Sequence, residues 1–546
     1  MKKLLIAILS IIMLTSVGVF FSGCDFIDSL FSKQEEAESY HECNFVDGTC
    51  TKCNGLQATE GLEFRLIDGG TAYEVIGYNG TSSEVAIPNY YNCKPVKSIE
   101  LGVLDDNELI RNIILPDTLE NMKDTAAKYN GGSTLKRMAL KCQEKDGLVY
   151  LGSNTNPYFC LVDVSDKNIT NANINENCKI IAPYSFHFLK SLVSVEIPDG
   201  VIFIGDAAFV ESFNLEKLSI PNSIKRVGGL YDFLNENFPC KKEKGLIYVG
   251  NAFNPYLCLV YGEDRNMTSA SVNKRCKVIG TGAFSFSDSL TSIVIPNSVQ
   301  SIGEDAFITC GKLESLTIGK DVKIIPDGVF KYCNSLASIT VHKDNQNYKD
   351  IDDNLYTKDG KTLIQYAVGK TADKFSIPDG VQSISYRAFA GCDSLTGVVI
   401  PDSVQSIGDS AFVGCISLTS IVIPGSVQSI GEDAFYHCAS LTSVVIGNSV
   451  TSIGEDAFYH CASLTSVVIG NSVTSIGNSA FAYCSSLSKV YYKGSASDWD
   501  NISIDLFNGH LTNATRYYYI EKEQDLPNDG GNYWHYVDGE PTVWVK

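Results

Sequence analysis

The densest set of side chains able to ligate a metal or exchange electrons lies near the start of the chain, as His41-x-Cys43-x6-Cys50-x2-Cys53. Four such donors within one short segment could hold Zn²⁺ tetrahedrally. The same cysteines could instead pair as disulfides or stay as thiols, the commoner fate outside the cytosol. Redox chemistry through Cys50-Thr51-Lys52-Cys53 lacks the surrounding βαβ pattern that would support it. All three tryptophans, Trp499, Trp534 and Trp544, lie in residues 487–546 among many tyrosines. Aromatics at that density could stack on sugar rings, or could cover the end of whatever precedes them. No GxSxG, HExxH, GxxxxGK[ST] or EF-hand loop occurs. The histidines are scattered; His437 and His460 share one repeat position with Gly391, Gly414 and Tyr483, which reads as a tolerant surface slot. No shared acid–base pair emerges, so neither an enzyme nor a cofactor is expected.

Composition narrows the partners further. The 546 residues carry a formal net charge of −20. A body this acidic is unsuited to gripping phosphate backbones, so no nucleic acid is expected, nor an anionic membrane surface. The first residues read MKKLLIAILSIIMLTSVGVFFSGC. Lys2 and Lys3 precede a long apolar run that ends in two small residues and Cys24, the layout of a secretory signal peptide over 1–23. The ending resembles the lipobox of bacterial lipoproteins, with Phe21 departing from the usual Leu. That resemblance implies lipidation at Cys24 and a chain exported and anchored to the outside of a bacterial membrane through that lipid only. Residues 24–60 then form a tether that carries the His/Cys cluster.

What would position any site is a repeat. Residues 441–463 (LTSVVIGNSVTSIGEDAFYHCAS) recur at 464–486 and, with changes, at 418–440 and 395–417. Residues 431–454 are identical to 454–477. The frame recurs back to residue 169, degrades at 215–237, and stretches near 83–134, a period of 23 throughout. Self-similarity at this period indicates stacked coils that share one core. Within a coil, Leu441, Val444 and Ile446 point inward, Val450 and Ile453 form a second inward pair, Gly454 permits a turn, and Phe458 fills the centre. Pro ends the first strand at 88, 116, 198, 221, 296, 378, 401 and 424, where a missing N–H punctuates the coil. A second periodicity aligns 142–192 with 240–290 and marks duplicated inserts. Their paired apolar runs predict hairpins.

The cysteines follow the same frame: Cys392, Cys415, Cys438, Cys461 and Cys484 are 23 apart, as are Cys310 and Cys333. They read as small buried hydrophobes in a ladder rather than as a row of reactive thiols. Cys160 with Cys178, and Cys258 with Cys276, could pair as disulfides.

The coil consensus LTSIxIPxSVxSIGxxAFxxCxS is similar to that of the BspA-like leucine-rich repeat surface proteins of bacteria. The resemblance implies a curved solenoid on the cell exterior, in a family associated with adhesion. The expected fold is a mostly β leucine-rich repeat array of 23-residue coils, with short helical or 3-10 turns. A capping hairpin spans 61–82, the solenoid spans 83–486 with hairpin inserts near 142–165, 240–265 and 343–371, and an aromatic-rich cap spans 487–546.

Two ligand surfaces are then candidates. Between the inward strand residues, one outward position runs Val399, Val422, Val445, Val468 and Tyr491. At about 4.8 Å per strand, five members span roughly 19 Å, an apolar stripe expected on the concave sheet. Valine at these positions is also simply at home in a strand. The first reading is therefore adhesion to an extracellular protein, and the alternative is glycan binding through Trp499, Trp534 and Trp544.

Overall fold

The computed structural model describes residues 58–67, 71–92, 94–105, 109–123, 140–229, 238–527 and 529–544, with the strand pair at 45–46 and 49–50. Cys24, His41, Cys43 and Cys53 lie outside the described residues. Cys50 is described by its backbone, in the strand Thr49–Cys50 paired antiparallel with Phe45–Val46. No helix among the described residues is long and apolar enough to cross a membrane.

Each coil supplies two strands to two sheets. In Ser443–Ile446, Val444 and Ile446 are buried and Ser443 and Val445 face outward, as alternation along a strand requires. This strand lies parallel and in register between Ser420–Ile423 and Ser466–Ile469. The shorter Ser452–Ile453 lies likewise between Ser429–Ile430 and Ser475–Ile476. In the last third of the chain each sheet reaches nine strands. The fold is therefore a β-solenoid. The few helices among the described residues are short, such as Ala496–Trp499 with its Ser495/Asp498 capping box.

Identical residues in successive coils stack on themselves. Phe389, Phe412, Phe435, Phe458 and Phe481 form one column with ring centroids 4.7–5.1 Å apart. Beside it the cysteine column is buried, and from Cys415 on each thiol donates to the carbonyl of the phenylalanine one coil earlier: Cys438 to Phe412 at 3.2 Å, Cys484 to Phe458 at 3.1 Å. Ser212 occupies the same position and donates to Phe186 O at 2.7 Å. The column thus supplies a small side chain with a donor, a role serine can also fill. Cys160, Cys178, Cys258 and Cys276 are free thiols, so the two suggested disulfides are absent. Gly454 serves close approach rather than a left-handed turn, because a Cβ there would sit 2.6 Å from the backbone N of Glu432 in the preceding coil.

The array is interrupted three times, and each run of coils begins on a hairpin. Leu148–Leu151 pairs antiparallel with Cys160–Val164, which then starts the parallel ladder through Ile180–Ile181. Leu246–Val249 with Cys258–Gly262, and Asn354–Thr357 with Thr362–Gln365, do the same. All three hairpins carry a register shift at the matching place, before Tyr150, Tyr248 and Tyr356. At the N-terminal end Leu62–Ile67 pairs antiparallel with Ala72–Tyr78, which joins Lys94–Glu100 and Asn121–Lys123 in parallel.

The interruptions bring distant parts of the chain together on the side of the Ser-Ile strands. Asn121 donates to Glu304 at 2.8 Å, Lys225 pairs with Glu120 at 2.9 Å, and Thr281 N–H donates to Val227 O at 2.9 Å. Ser301 also donates to Lys225 O. A cleft of about 620 Å³ opens there, bounded by Arg65, Glu74, Asp305, Ser383, Ser406 and Asp409. The Ser-Ile sheet therefore faces the inside of the curve, and the sheet containing Ser443–Ile446 faces outward.

Candidate functional site

The valine stripe is shorter than expected and lies on the other face. Val399 and Val422 are 62% and 59% exposed, whereas Val445 is half-buried and Val468 and Tyr491 are buried. The cause is the C-terminal segment. Thr515–Tyr519, Tyr533–Val537 and Glu540–Val543 extend the outer sheet, and Trp534 packs over Tyr491 at 5.3 Å between centroids, in one cluster with Val468. The row also belongs to the outer sheet, turned away from the cleft, not to a concave sheet. What stays open to solvent is Val399, Val422 and part of Val445.

Two of the three tryptophans have no open ring face, and the third is half-buried. Trp534 is wholly buried, and its indole N–H donates to Tyr492 O at 3.0 Å. Trp499 is buried against Tyr492, with the Arg516 guanidinium 4.3 Å from its ring centroid. Trp544 stacks on His535 at 3.6 Å and donates to Ile520 O at 2.9 Å. A stacking site needs an open ring face. Trp499 and Trp534 spend theirs on the chain itself, and Trp544 gives one face to His535.

Other aromatics are exposed, at one recurring coil position. The residue that ends the turn after the core phenylalanine has positive φ in coil after coil: Phe188, Glu211, Phe286, Thr309, Tyr332, Gly391, Gly414, His437, His460 and Tyr483, all between 56° and 70°. Where a regular coil follows, that coil fixes its N–H, as in Phe286 to Ile308 O and His437 to Tyr459 O. Glycine takes this conformation freely, whereas other L-residues lose about 1–2 kcal/mol in it. Phe188, Phe286, Tyr332 and Tyr483 are nevertheless 48–60% exposed. Neither local conformation nor burial accounts for a large ring here. Aligning the chain at its period puts these residues in one slot, but in sequence only its histidines stand out, because their chemistry is distinctive.

At the mouth of the cleft stands a charged cluster that no local pattern announces. Glu74 is fully buried, and its carboxylate accepts from Arg65 at 2.7 Å, Ser98 at 2.8 Å and Lys123 at 2.8 Å. Lys123 continues to Glu304 at 3.2 Å. Burial pushes the Glu74 carboxyl up, but the charge and hydrogen bond of Lys123, joined by those of Arg65, overcome this and hold it at about 2. Nearby Asp206 moves the opposite way, to about 6: burial leads, the Gly229 N–H opposes, and Glu304 and Asp305 add repulsion. The network fastens the N-terminal strands to the middle run of coils. Among the described residues no three metal-ligating side chains converge.

The family profile for the BspA type leucine-rich repeat region matches this chain in six copies, over residues 164–237, 260–368 and 365–488. Solved structures of similar shape include a leucine-rich cell surface protein of Faecalibacterium prausnitzii A2-165, at 25% identity and TM-score 0.43, covering 82% of this chain and 97% of that one. A leucine-rich repeat protein of Eubacterium ventriosum is 21% identical at TM-score 0.38, covering 61% of this chain and 79% of that one. The pneumococcal vaccine antigen PcpA is 17% identical at TM-score 0.40, covering 85% and 93%. No curated protein matches the chain.

Proposed function

This chain belongs to the BspA-type leucine-rich repeat family, and on that premise we propose that it is a non-catalytic surface protein that binds extracellular proteins. Residues 1–23 direct export, and lipidated Cys24 holds the solenoid outside a bacterial membrane. The observation that carries the binding role is the exposure of four aromatics, Phe188, Phe286, Tyr332 and Tyr483, in a left-handed slot where glycine would be less strained. Large rings held rigidly in water serve contact with a partner, because aromatics dominate interface energetics and lose little entropy on docking. The exposed pair Val399 and Val422 adds an apolar patch on the outer sheet. A stiff repeat scaffold further lowers the ordering cost of association.

The test is capture by immobilised extracellular matrix proteins. Phe286→Gly with Tyr332→Gly should leave the fold intact, since glycine already occupies the slot at 391 and 414, and should weaken capture by about tenfold or more. Val399→Glu with Val422→Glu tests the sheet patch separately. Undiminished capture by both variants would remove the proposal.

A further inference from the structure

Two members of the left-handed slot differ from the rest. His437 and His460 stand at matching positions on consecutive coils, in the identical stretches 431–454 and 454–477, both exposed, both at φ 58°. Their backbone positions are set by the stack: His437 N–H donates to Tyr459 O at 2.8 Å and His460 N–H to Ala482 O at 2.9 Å. Tyr436 and Tyr459, one residue earlier in each coil, stack face to face at 4.9 Å and 2°. The imidazole rings lie 4.8 Å apart at 34°, with the two Nδ1 atoms 3.1 Å from one another.

We propose that His437 and His460 form a chelating pair for a divalent transition-metal ion through their Nδ1 atoms. A metal 2.0–2.1 Å from each nitrogen would subtend an angle of about 100° across the observed 3.1 Å, between square-planar and tetrahedral values. Without a metal, only one of the facing nitrogens can carry a proton, because two N–H groups would oppose each other. A metal satisfies both lone pairs at once. Imidazole pairs favour Cu²⁺ over Ni²⁺ and Zn²⁺, and all three over the oxygen-seeking Ca²⁺ and Mg²⁺. With two protein donors the remaining coordination positions go to water. The coil spacing does the positioning, as equivalent residues one period apart are held side by side by backbone hydrogen bonds. The pair arises from duplication of one coil, and Tyr483 ends it on the next.

The test uses the full protein with NiCl2, ZnCl2 and CaCl2 in separate calorimetric titrations, beside His437→Gly and His460→Gly. Both variants should keep the wild-type circular dichroism, because glycine occupies the slot in two other coils. Ni²⁺ and Zn²⁺ should bind the wild type with an increment that both variants lose, about tenfold or more in affinity, since the second imidazole acts at high effective concentration. Ca²⁺ should give no such difference. Ni²⁺ should raise the unfolding temperature of the wild type but not of the variants, because a ligand that binds only the folded state stabilises it. Identical isotherms for wild type and variants, or loss in only one variant, would overturn the proposal.

Discussion

Replacing Glu74 with glutamine tests whether a buried charge holds the N-terminal strands onto the coils. The wild-type carboxylate is fully buried and bonded by Arg65, Ser98 and Lys123. Holding it at about 2 instead of its ordinary 4.5 corresponds to about 3 kcal/mol of preference for the charged form in the folded state. Breaking a buried pair on one side costs about 3–5 kcal/mol by a separate line of reasoning, because the other charge is left without its partner. The substituted amide would keep the shape but leave Lys123 only Glu304. We therefore expect a loss of about 3 kcal/mol, confined to this end of the molecule, because repeat arrays sum nearest-neighbour terms. The pH dependence has a definite sign. A depressed folded-state pKa contributes stability that is complete above about 4.5 and fades as pH falls towards 2. The wild type should lose this contribution over that window, and Glu74→Gln should have none to lose. Hydrogen exchange read on peptides from 72–123 should accelerate about a hundredfold at neutral pH. Fluorescence from Trp499, Trp534 and Trp544 reports the opposite end and should keep its unfolding midpoint. Unchanged exchange at 72–100, or an equal shift in the tryptophan transition, would refute the reasoning.

Trp534→Ala should destabilise the final strands by about 3–5 kcal/mol, as it empties a wholly buried site and leaves Tyr491 and Val468 open to water. Dye binding to newly exposed apolar surface would report it, and a variant with wild-type dye response would refute that account. The cysteine column should resist alkylation in the native protein. Burial pushes Cys392 and Cys484 up to about 12 and Cys461 well above its ordinary value, so at these three thiolate is scarce as well as inaccessible. Mass spectrometry after labelling at pH 8 should find Cys438 and Cys461 modified only in denaturant; rapid native labelling would contradict their burial.

Much of this was readable along the chain because it repeats. A contact between residue i and its equivalent 23 positions on is written in the period itself. The inward Val444 and Ile446, the Phe458 column and the buried cysteines could thus be assigned without coordinates. So could the hairpins at the inserts, which announce themselves as paired apolar runs. The leader and Cys24 are a sequence-level reading of another kind, resting on charge, hydropathy and small residues. The valine row was legible as outward-facing, since alternation along a strand requires it, but not as exposed.

Exposure depended on contacts that carry no period. Trp534 reaches back over Tyr491 and Val468 from beyond the last regular coil. Glu74 finds Lys123 and, through it, Glu304, at separations no local pattern encodes. Which sheet lines the inside of the curve shows only in contacts between distant runs, such as Asn121 with Glu304 and Lys225 with Glu120. The sequence by itself determined the coil, its core and the slots on its surface, because those rest on short-range stereochemistry and hydrophobic periodicity. The tertiary structure alone decided which slots face a cleft, which are covered and which charges meet, because those depend on how separate runs of coils close upon one another.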